Sequence, residues 1–96
     1  MATLATPQQG QNTDIDTSAE VLTADTIVPT YGISIKALDA NTGLVYVNWL
    51  TTATTSNGWE LAKGQEVFIS RAECADANAV SVIGSAANQA VCWRVF

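Results

Sequence analysis

The side chains able to do chemistry are few, and their spacing argues against catalysis. Histidine is absent from the 96 residues, so there is no imidazole base and no Ser-His-Asp arrangement. Two pairs of carboxylates lie close in sequence. Glu60 and Glu66 flank a turn at Lys63–Gly64, and Glu73 and Asp76 share one connection. Paired carboxylates can act as acid and base, but in turns they are usually solvated. Cys74 stands beside Glu73 with no neighbouring base to make it a nucleophile. Cys74 and Cys92, 18 positions apart, form no CxxC motif and have no His to join them in holding a metal. A disulfide between them stays open, because it needs their flanking segments to meet. The isolated glycines fall in turns and make no phosphate-binding loop. The expectation is a non-enzymatic chain with no cofactor and no metal.

Three tryptophans remain. Trp49, Trp59 and Trp93 each lie on or beside a strand-like segment. Core packing is the favoured reading for Trp93. Trp49 and Trp59 bracket the polar loop 51–58, and tryptophan concentrates contact energy where proteins meet. Two walls of a carbohydrate-binding face are the less favoured reading, since such faces use several exposed aromatics.

These side chains must be carried by strands. "YGISIKAL" alternates Ile33 and Ile35 with Ser34 and Lys36, the period of a half-buried strand. "DANTG" at 39–43 is a turn. "LVYVNWL" follows with Val45, Val47 and Trp49 on one face. Strand, turn and strand predict a hairpin. "WELAKGQEVFIS" predicts two short strands about Lys63–Gly64, and "RAECADAN" at most a short helical turn. "AVSVIG", "SAANQ" and "AVCWRVF" predict a second hairpin. In its last strand, Val91, Trp93 and Val95 face one layer, and Cys92 and Phe96 the other. A strand apolar on both faces belongs in mid-sheet or beneath a partner. About seven short strands and no long helix predict an all-β fold, a small β-sandwich or barrel.

Residues 1–30 read differently from 31–96. The first 19 have no sustained apolar period, and only one or two short strands are expected at 20–30. All four ionised groups of this segment, Asp14, Asp16, Glu20 and Asp25, are acidic. We therefore expect an extended N-terminal arm over 1–30 and a β body over 31–96 that folds without it. The start "MATLATPQQGQ" lacks a basic region followed by an apolar core, so no secretory signal is expected.

Composition narrows the partners. The net charge is −5, so the basic footprint of a nucleic-acid binder is missing. No apolar run approaches the roughly 18 residues of a membrane span. Only 14% of residues are charged, against 48% hydrophobic; soluble domains average about 25% charged. A weakly charged surface suits contact with other proteins.

Three segments, "GLVYVNW", "SNGWELAKGQEVFIS" and "VIGSAANQAVCWRVF", resemble small β-structured virion proteins of tailed bacteriophages. The likeness covers roughly residues 32–96, and the closing segment is its most specific part. The resemblance implies a capsid decoration (cement) protein on the virion surface, made in the host bacterial cytoplasm. It implies the major capsid protein as partner and a homo-oligomer, trimer or dimer. Leu4, Ile15, Trp49, Trp59 and Phe68 are the expected contact residues. Two alternatives are a head-fibre or tail-associated adhesin domain binding a host receptor or glycan, and a monomeric accessory protein of the cytoplasm.

Overall fold

The computed structural model describes residues 8–96. It is all-β. The strands are β1 (Gln8–Ile15), β2 (Glu20–Val21), β3 (Gly32–Ala37), β4 (Val45–Asn48), β5 (Trp59–Leu61), β6 (Glu66–Ser70), β7 (Ser81–Gly84) and β8 (Gln89–Val95). One turn of 3-10 helix, Ala77–Ala79, stands where the composition suggested a helical turn.

Two antiparallel four-stranded sheets stack face to face, ordered β1-β8-β3-β6 and β2-β7-β4-β5. This strand order is that of a jelly roll, the doubled Greek key. Only the β4–β5 connection stays within one sheet; every other link crosses to the opposite layer.

That crossing corrects both expected hairpins. β3 pairs with β6 and β8, not β4, and β7 pairs with β2 and β4, not β8. The turns after β3 and β7 are arches between layers. An arch and a hairpin share one sequence signature, because both join two strands with inward apolar faces by a polar turn.

The alternation itself holds. Ile33 and Ile35 on β3, Val45 and Val47 on β4, and Val91, Trp93 and Val95 on β8 fill the space between the sheets. β8 lies mid-sheet between β1 and β3 as expected, but the other face, expected to meet a second layer, is open: Cys92 and Phe96 are half-buried and Arg94 is exposed. Trp93 is 8% exposed and belongs to the core. Cys74 is buried, Cys92 half-buried, and both are free thiols.

Residues 8–30 are extended, and they lie along their own body. β1 forms the edge of the first sheet against β8, and β2 the edge of the second against β7. Ile15, Leu22 and Ile27 are all in the core. The segment after β2 is stitched down by main-chain bonds: Leu22 N donates to Val80 O (2.8 Å), and Ala77 N to Ile27 O (2.9 Å). Asp76 caps the 3-10 turn through Asn78 N (2.9 Å) and also accepts from Ile27 N (3.2 Å). The packing of the described residues shows no separation at residue 30.

Candidate functional site: the outer face of the first sheet

The outer face of the first sheet is built by strand register. Side chains on alternate positions of β1, β8, β3 and β6 line up in rows across it. One row runs Gln9, Arg94, Ser34, Phe68; the next runs Gln11, Cys92, Lys36, Glu66. Ser34 Oγ donates to Glu66 Oε2 at 3.1 Å, tying the two rows together. The face forms a broad open groove of about 1030 Å³.

Its aromatic end is assembled from distant parts of the chain. The Phe96 carbonyl accepts from Thr30 N (2.7 Å) and Tyr31 N (2.8 Å), which brings Tyr31 to the end of β8. Phe68 lies across Gly32 of the neighbouring strand: a Cβ there would collide with its Cζ. Glycine at 32 therefore makes room for the ring. Phe68 and Phe96 have ring centroids 6.4 Å apart at 51°, a tilted pair, and the Arg94 guanidinium stands 5.9 Å over the Phe96 ring. Tyr31 is 72% exposed and Phe68 57%. Large aromatic surface left in water, rimmed by amides and both signs of charge, has the chemistry that suits a contact face.

The expected contact residues do not converge on one place. Leu4 lies outside the described residues. Ile15 is fully buried in the protein's own core, because the bulge after Asn12 turns it inward, so it cannot reach a partner in this fold. Trp49 is partly buried and packs against the core. Trp59 is 60% exposed, on the edge strand β5 of the second sheet. Phe68 alone falls on the aromatic end. Sequence reasoning missed Tyr31, Arg94 and Phe96. Arg94 and Phe96, two apart, share a face by strand alternation, but Tyr31 reaches them only through the Phe96 carbonyl bonds to residues 30–31, which no local pattern encodes.

A second exposed area lies beside β2, where Val21, Trp49 and Leu50 border a smaller depression. The loop that carries Leu50 is pinned by asparagines. Asn48 Oδ1 accepts from Leu50 N (2.9 Å), and Asn57 Oδ1 from Thr54 N (2.8 Å). On the outer face of the second sheet, desolvation raises the Tyr46 phenol above its usual range. The neighbouring Glu60 carboxylate adds to the rise, by its charge and by accepting from the hydroxyl.

Among the described residues, no group of three or more His, Cys, Asp or Glu is placed to hold a metal ion. No helix among them is long and apolar enough to cross a membrane. Comparison of the chain with protein-family models, with curated proteins and with solved structures returned no match.

Proposed function

We propose that this chain is a capsid decoration protein of a tailed bacteriophage, acting as a homo-oligomer that binds the outer shell of the major capsid protein. The observation that carries the reading is the aromatic end of the first sheet. Tyr31 and Phe68 stay exposed although Phe68 is paired with the Phe96 ring. A chain this poor in charge gains little from leaving such surface in water. Two supports come from elsewhere. The segments at 43–49, 56–70 and 82–96 resemble phage virion proteins, and the jelly-roll order recurs in viral capsid domains. The second support is an analogy of fold, and fold alone does not imply function.

The same face gives the adhesin alternative its one specific footing. Jelly rolls also serve as lectins, and aromatic rings beside Arg94, Gln9 and Gln11 suit a sugar's faces and hydroxyls.

The test is to purify virions of the phage encoding this chain, separate heads from tails, and image the particles at side-chain resolution. The expected result is a regular array of this chain on the head, with Tyr31 and Phe68 against the capsid protein. Absence from heads overturns the decoration reading; presence on tails alone turns it toward the adhesin.

A further inference from the structure

Four strands bound the two sheets, and three are ordinary, guarded edges. β2 is two residues long and β5 three. β6 opens on charged Glu66 and carries bulky Phe68. β1 differs. It is eight residues long, and its stretch Gln8–Thr13 holds neither charge nor proline. Its register against β8 runs unbroken from Gln8 to Asn12. Among the described residues, the main chain of Gln8–Thr13 hydrogen-bonds only to β8. Sheet edges of this length are normally blunted by lysine, proline or an early bulge, because free N–H and C=O groups recruit another strand. Here the bulge comes only after Asn12.

We infer that β1 pairs antiparallel with β1 of a second copy of this chain, about a two-fold axis near Gly10. The pairing joins two four-stranded sheets into one continuous sheet. It specifies the self-association contained in the decoration reading. Three features favour a second copy over a strand of another protein. First, an axis at Gly10 sets Gln9 opposite Gln11 of the partner subunit. Both amides lie on the outer face, and an amide is donor and acceptor at once, so like pairs with like. Second, the chain carries a net charge of −5, and the uncharged stretch 8–13 is where two such chains meet with least repulsion. Third, antiparallel pairing places the two Asp14 carboxylates about 27 Å apart along the ribbon. That exceeds the screening length of about 8 Å at physiological salt; parallel pairing would stack them. A contact of this type uses the same patch on both subunits and closes at two copies.

The experiment uses the full chain and sedimentation equilibrium over a dilution series. The wild-type chain is expected to be a dimer that dissociates on dilution. Gln9→Lys/Gln11→Lys sets lysine against lysine across the axis and raises the dissociation constant about tenfold or more. Gln9→Glu/Gln11→Glu does the same. Mixing the two variants restores association, because each lysine then faces a glutamate. Both positions are exposed, and circular dichroism checks that each variant keeps its strands. Hydrogen exchange on the wild-type chain is an independent reading. The β1 amides facing away from β8 gain protection as concentration rises. A wild-type monomer throughout, a dimer indifferent to the lysines, or edge amides unprotected at any concentration overturns the inference. A monomer would leave the edge to a strand of another protein. Dimerisation through β1 by a chain absent from phage heads would keep this inference and overturn the decoration reading; a head-bound chain indifferent to the substitutions would do the opposite.

Discussion

Gln89 shows how a single buried polar residue can hold two layers together. It is fully buried, yet every polar atom of its amide is used. Its Oε1 accepts from Gly43 N (2.8 Å), and its Nε2 donates to Thr42 Oγ1 (3.1 Å) and Ala87 O (2.8 Å). Beside it, Asn41 accepts from Ala90 N (2.7 Å) and donates to Ala90 O (2.9 Å), so its amide imitates a paired strand. Together they fasten the arch after β3 to the arch after β7. Glycine at 43 follows from the same clip, since a Cβ would meet Ser85 Oγ at 2.5 Å. These residues supply much of the resemblance segment "VIGSAANQAV", and the contacts make them builders of the fold. Gln89→Leu keeps the volume and removes the bonds. A buried hydrogen-bonding group left without its partner costs about 1–3 kcal/mol. We expect the variant to be less stable by about that amount in urea unfolding, with its m value unchanged.

At the scale of elements, the lesson is which strands a pattern can reveal. Residues 32–37 and 45–48 were legible because each alternates to bury one face, and 89–95 because it is apolar enough to belong in mid-sheet. The arches were not, because the pattern says which face points inward and nothing about which neighbour is bonded. β1 was hidden for a more specific reason. Ahead of the bulge its inward positions are Gln8, Gly10 and Asn12, none apolar. The space they would fill is taken by Trp93: a Cβ on Gly10 would meet the indole Cζ2 at 2.5 Å and Cε2 at 2.8 Å. One strand's apolar content is thus supplied by its neighbour. Asn12 instead reaches the opposite sheet, donating to Glu20 Oε1 at 2.9 Å. The arrangement predicts the outcome of Gly10→Ala. Replacing glycine by alanine in a strand gains about 0.4–1 kcal/mol from the unfolded chain. Forcing a methyl group into a rigid indole costs about 1–3 kcal/mol. Overpacking wins, so the variant unfolds at lower urea than the wild-type chain. An increase in stability would mean that Trp93 does not cover Gly10.

At the scale of the molecule, the question is whether residues 31–96 form a body that stands by itself. Composition suggested that they do, since the apolar alternation begins near Tyr31. The packing argues otherwise. Removing residues 1–30 takes away one edge strand from each sheet and three core side chains, Ile15, Leu22 and Ile27. Burying each such side chain is worth about 1.5–3 kcal/mol, so the loss is about 5–9 kcal/mol. Small domains have only about 5–15 kcal/mol in all. The truncation also bares the main chain of β8, a strand whose inner face carries Val91, Trp93 and Val95 and which is otherwise paired on both sides. We therefore expect the 31–96 fragment to show no cooperative thermal transition by circular dichroism and to aggregate, where the full chain melts cooperatively. Deleting the segment then cannot separate an arm's attachment role from the folding of the body. Exposed positions such as Phe68 and Tyr31 can, because their side chains lie outside the core. A fragment that melted cooperatively would show instead that β3, β4 and β6–β8 close the sandwich unaided, and that β1 and β2 are additions to a finished fold.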